Sequence, residues 1–127
     1  MRKLRVLIID EHQTVCQALE NRLQSSGEVD VVGRTGSWQE GIRIAAERSA
    51  DVVLLETKRS DNEGMAALRR LQEECAYTYV VVLTSYPNAQ EKKEALAAGA
   101  SRYLLKDIGS DYLIQEIRDV VQPRAAI

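Results

Sequence analysis

Five short apolar runs, at residues 4–9, 29–32, 52–55, 79–83 and 103–105, alternate with segments whose apolar residues recur at helical spacing. A strand covered on both faces reads as a continuous apolar run. Strands that alternate with helices lie parallel, because each helix carries the chain back to the same end of the sheet. The spacing of roughly 25 residues follows from that alternation and does not mark a solenoid repeat. Run 79–83, YVVVL, is the most apolar and belongs inside the sheet; run 29–32, VDVV, is broken by Asp30 and fits an edge.

The helical segments support the same reading. Val15, Leu19 and Leu23 form a stripe in the first, and Ser25-Ser26-Gly27 stops it, the glycine being free to take a left-handed cap. Ser37-Trp38-Gln39-Glu40 has capping-box spacing at the start of the second. Met65, Leu68, Leu71 and Cys75 line one face of the third. The fourth, residues 88–98, has Leu96 as its only large apolar side chain and is weakly anchored; Gly99 ends it. Leu113, Ile117 and Val120 or Val121 face inward in the fifth, before Pro123 ends the pattern. Five such units in 127 residues make one domain, residues 1–122, with a tail at 123–127. The fold class is α/β: a flavodoxin-like (βα)5 doubly wound sandwich with strand order 2-1-3-4-5, an order supplied by the rule for such sheets.

Composition narrows the function. A net charge of -2 argues against a nucleic-acid surface, which needs a basic excess. No apolar run approaches a membrane span, and Met1-Arg2-Lys3 leads straight into a strand, so a cytosolic protein is expected. Cys16 and Cys75 are far apart, without metal or redox spacing, and read as two reduced, partly buried thiols.

The chemistry gathers at strand ends. Run 4–9 leads into Asp10-Glu11, run 52–55 into Glu56, run 79–83 into Thr84-Ser85 and run 103–105 into Lys106. In a doubly wound sheet these ends share the crevice at the switch point between strands one and three. Carboxylates meeting there repel one another unless a cation joins them. With no histidine or thiolate pair to favour zinc, a hard divalent ion, Mg2+, suits Asp10, Glu11 and Glu56. Lys106 and the Thr84 hydroxyl would then face a phosphoryl group. Each residue taken alone also fits a helix cap or a simple ion pair.

These residues resemble the receiver domain of bacterial two-component response regulators, the CheY-like superfamily, over about residues 4–121. The stretch Gly99-Ala100-Ser101-Arg102-Tyr103-Leu104-Leu105-Lys106-Asp107 is similar to receivers that precede a LuxR/NarL-type helix-turn-helix. The resemblance implies a magnesium-dependent switch phosphorylated by a histidine kinase on the acid of strand three. It also implies that the Lys58 backbone carbonyl joins the metal ligands. Thr84 and Tyr103 would act as a switch pair, relaying to a face of helix four, strand five and helix five, which is also a candidate homodimer interface.

Two departures bear on that expectation. The family's acceptor is aspartate, whereas Glu56 carries an extra methylene expected to push its oxygens outward by ~1.5 Å. A displacement of about 1 Å can cost on the order of 10²-fold in an in-line reaction. The Met-Pro-Gly that usually follows is Arg59-Ser60-Asp61, although Gly64 is retained. A pseudo-receiver, with Glu56 standing permanently in the acceptor's place, is therefore weighed ahead of a conventional Mg-dependent phospho-receiver. A small cofactor-binding flavodoxin-like module fits less well. Asp10-Glu11-His12 lacks the glycine of a cobalamin motif, with Val15 in its place, and Gln13-Thr14-Val15 is no phosphate cradle. No nucleophile–base pair suggests an enzyme with turnover, and His12 reads as a solvated or capping residue.

Overall fold

The computed structural model describes residues 2–122, so the expected tail at 123–127 and the role of Pro123 lie outside the described residues. Elements alternate as β1 (Leu4–Ile9), α1 (Gln13–Ser25), β2 (Val29–Thr35), α2 (Trp38–Glu47), β3 (Val52–Leu55), α3 (Gly64–Glu74), β4 (Tyr79–Thr84), α4 (Ala89–Ala97), β5 (Arg102–Leu105) and α5 (Ser110–Val121). The five strands form one parallel sheet in the order β2-β1-β3-β4-β5. Strand β3 holds the middle and β2 an edge, as the Asp30 interruption implies.

Alternate side chains of each strand feed two cores. Val6, Ile8, Leu54 and Val81 pack with α1 and α5, whereas Leu7, Ile9, Val53 and Val82 pack toward α2, α3 and α4. Cys16 lies in the first core and Cys75 in the second, so the sheet separates the two free thiols.

Several local expectations shift. In α1 the buried stripe is Cys16, Leu19 and Leu23, while Val15 is 46% exposed. Spacings of three and four track a 3.6-residue turn, whereas two steps of four drift off the buried face. Strand β2 continues past residue 32 to Thr35 through a register shift opposite Val6 and Leu7. Val32 is the residue skipped, and Gly33 after it packs closely under α2, where a Cβ would lie 3.1 Å from the Ile44 side chain. Only half of the capping box forms: Ser37 Oγ accepts from the Glu40 amide, but the Ser37 amide donates to Thr35 Oγ1. Helix α4 is anchored even less than expected. Its one buried residue is Ala95, and Leu96 is 42% exposed.

Gly27, at φ +75°, takes the left-handed conformation after α1. Gly64 answers a different need, close approach. A Cβ there would sit 1.9 Å from the Thr57 carbonyl oxygen, a backbone atom that cannot step aside. Gly64→Ala should therefore destabilise the domain by about 2 kcal/mol or more, checked by urea unfolding.

Candidate functional site

Backbone hydrogen bonds between neighbouring strands place the site residues. The Asp10 amide donates to the Thr35 carbonyl at 2.9 Å, Glu56 to Ile9 at 3.0 Å and Lys106 to Thr84 at 2.9 Å. Each residue thus extends its strand by one step, and three side chains converge at the crevice beside β1 and β3. Asp10, Glu56 and Thr84 are all buried.

Lys106 joins the acids. Its Nζ hydrogen-bonds to Asp10 Oδ2 and lies 3.1 Å from Glu56 Oε1. Asp10 Oδ1 accepts from the His12 amide at 2.9 Å, and the His12 ring Nδ1 is 3.1 Å from the same oxygen. His12 consequently lies against Asp10 and makes no side-chain cap on α1. Burial alone would lower the Lys106 pKa, but the hydrogen bond and charge of Asp10, with the charge of Glu56, hold it above the ordinary lysine value. The ammonium's contribution is complete below the usual lysine range and is lost only as pH rises through the raised value.

Glu56 does not reach outward. Its side chain is 1% exposed, and the added methylene lets the carboxylate bend back over its own backbone. Oε2 accepts from the Lys58 amide at 3.1 Å and Oε1 from the Ser85 amide at 3.3 Å. Lys58 thus reaches the site through its N–H.

Glu11 is not gathered with the other acids. Ser60 grips it, donating its amide to Oε1 and its hydroxyl to Oε2, both at 2.8 Å. Those two bonds, the hydroxyl's first, hold the Glu11 carboxyl below the ordinary glutamate value. Arg59 and Asp61 stiffen the same loop. Arg59 Nη2 donates to the Gly36 carbonyl at 2.6 Å and pairs with Asp61 at 3.2 Å, leaving Nη1 buried with no partner among the described residues. Trp38 Nε1 donates to Glu63 at 3.0 Å, so the end of the loop is also pinned to the first residue of α2.

The Thr84 hydroxyl accepts from the Tyr86 amide at 3.0 Å. Tyr103 packs partly buried on the α4 side of the sheet, and its hydroxyl accepts from the Asn88 amide at 3.3 Å. Burial, foremost, raises the phenol's pKa. Thr57, adjacent to Glu56, hydrogen-bonds Glu91 in the first turn of α4. Sequence reasoning missed Ser60 and the Thr57–Glu91 contact. Ser60 carried no signal beyond its place in the divergent loop, and the second contact pairs residues 34 positions apart.

A hard divalent cation fits the chemistry of these acids but not their arrangement. Asp10 Oδ2 and Glu56 Oε1 are bound to the Lys106 ammonium, and Ser60 holds both Glu11 oxygens. Among the described residues, no three His, Cys, Asp or Glu side chains form a metal-binding group.

A buried acid–lysine cluster at the switch point of a 2-1-3-4-5 sheet defines a class, and comparison with known proteins gives it a family. Residues 6–118 match the response regulator receiver domain. The chain is 31% identical over 115 residues to the transcriptional regulatory protein LiaR of Bacillus subtilis, covering 91% of this chain and 54% of the relative. It is also 31% identical over 124 residues to the DNA-binding transcriptional activator DevR/DosR of Mycobacterium tuberculosis, covering 98% and 57%. Among solved structures, the signal receiver domain of NarL from Mycobacterium tuberculosis superposes with a TM-score of 0.88 at 23% identity, over 98% of this chain and 100% of that one. The chain therefore belongs to the receiver domain family of response regulators, and it spans just over half the length of these curated relatives.

Removing the lysine tests the cluster. Lys106→Met leaves two buried carboxylates without their counter-ion and should cost about 3–5 kcal/mol in denaturant unfolding. Adding Glu56→Gln should recover part of that loss.

Proposed function

We propose that this receiver domain is a phosphorylation-independent signalling module, in which Glu56 occupies the acceptor position without serving as a nucleophile. One observation carries the reading: the Glu56 carboxylate is 1% exposed and both its oxygens accept hydrogen bonds from the protein. A nucleophile for in-line phosphoryl transfer needs a free oxygen facing the donor at near-attack distance. Here the ammonium, which would otherwise steady a transferring phosphoryl group, is engaged by Asp10 and Glu56. On this reading the chain turns over no substrate, and any phosphoryl transfer would be to itself. Asp10, Glu56, Lys106 and Thr84 set the conformation of the site, and Tyr103 carries it toward α4.

The partner expected from the family is a histidine kinase or another signalling protein. The relatives' names refer to transcriptional regulation, and we assign the same output here, through contacts of this domain with other proteins and not by its own contact with DNA or membrane. No helix of the described residues is long and apolar enough to cross a membrane. The two free thiols suit the reducing cytosol. Residues 1–122 are taken as the receiver domain.

Incubation with Mg2+ and a small phosphodonor, followed by intact mass measurement, should leave the chain unmodified. An adduct on Glu56, whether stable or turning over, overturns the proposal and restores the conventional phospho-receiver.

The face built from α4, β5 and α5 is assigned to weak self-association. Leu105 on the edge strand and Tyr112 on α5 are 41% and 73% exposed. Sedimentation should show a concentration-dependent dimer that Leu105→Glu weakens by about tenfold or more. Monomers at the highest concentrations count against the interface.

A further inference from the structure

We propose that the acid cluster carries its own cation, the Lys106 ammonium, and does not take up a divalent ion. The inference deepens the phosphorylation-independent reading and rests on the same Lys106-bridged cluster. Three features of the site lead to it.

The first is the use of the oxygens. Asp10 Oδ2 and Glu56 Oε1, the pair that face each other across the crevice, converge on Nζ of Lys106. Their remaining oxygens accept from His12 and Lys58. A metal entering between the acids would displace the ammonium or stand beside it, and like charges repel strongly at a site of low dielectric.

The second is access to water. Magnesium dehydrates reluctantly and keeps several waters even when protein-bound. The Asp10 and Glu56 side chains are 4% and 1% exposed, and Lys106, at 12%, closes over them. The cluster is too nearly sealed to admit a hydrated ion.

The third is the position of Glu11. Ser60 holds it with two hydrogen bonds, and the next residue back in the chain, Arg59, has a side chain 4% exposed and bonded to Gly36 and Asp61. Bringing Glu11 to a metal would break both of its bonds to a loop pinned at several points. The divergent residues Arg59 and Ser60 thus keep one acid away from the cluster, while Lys106 satisfies the other two.

The test uses the intact chain and metal ions alone. Mn2+ is titrated and its free concentration read from the electron paramagnetic resonance signal, and thermal unfolding is followed with and without Mg2+. The unaltered chain should leave Mn2+ free, and about 10 mM Mg2+ should move its Tm by less than ~1 °C. In Lys106→Ala the two buried acids lack a cation, so Mn2+ binding should appear and exceed that of the unaltered chain by at least about tenfold. Submillimolar Mn2+ binding by the unaltered chain overturns the proposal.

Ser60→Ala decides the matter should Lys106→Ala not fold. That variant loosens Glu11 but keeps the ammonium, so it should still leave Mn2+ free. Binding by Ser60→Ala would assign the exclusion to the Glu11 grip and overturn the role given to Lys106. The result is separable from the phosphodonor experiment. An adduct without Mn2+ binding refutes only the phosphorylation-independent reading, and Mn2+ binding without an adduct refutes only this one.

Discussion

Two carboxylates buried at adjacent strand ends share one ammonium, and the upper end of the sheet is arranged around that fact. Ionised acids removed from water are tolerated only when paired and hydrogen-bonded. Asp10 and Glu56 meet both conditions through Lys106, which arrives from the far side of the sheet on β5. The ion pair therefore ties the first, third and fifth strands together at their carboxyl ends, where parallel ladders stop and connecting loops begin. Lower down, apolar packing on both faces performs that task unaided.

The extra methylene of Glu56 and the residues after it form one physical unit. A glutamate at a crowded strand end must put its carboxylate somewhere, and here it bends back to the Lys58 and Ser85 amides. The loop beyond Lys58 then runs to Ser60, which holds Glu11, while Arg59 anchors to Gly36. Gly64 completes the turn by letting α3 start directly against the Thr57 carbonyl. The loop that departs from the family pattern, between β3 and α3, is hydrogen-bonded to Glu11, Gly36 and Trp38.

Much of this was legible from residue order. Strand count, edge and interior strands, and the convergence of Asp10, Glu56, Thr84 and Lys106 follow from apolar runs ending in polar residues, whereas the sheet order comes from the general rule for doubly wound sheets. What the sequence concealed were choices among side-chain directions. Val15 and Cys16 are adjacent and both apolar, and only the helix phase decides that Cys16 is buried. Glu11 stands next to Asp10, yet consecutive residues leaving a strand point in opposite directions, and Ser60 captures the second acid. The extra methylene of Glu56 was expected to push its oxygens outward; chain geometry alone says nothing of the Lys58 and Ser85 amides that receive them.

Helix α4 has one small buried side chain, Ala95, and its first turn touches Thr57, the neighbour of Glu56. Coupling between two sites is reciprocal: if the state of one biases the other, the reverse holds with the same free energy. A protein that gripped α4 would act on the helix with the fewest buried side chains, and the Thr57–Glu91 contact joins that helix to the residue beside the strand tip. By that reciprocity, a partner bound at α4 would bias the acid cluster as much as the cluster biases α4, the opposite direction to a switch thrown at its centre.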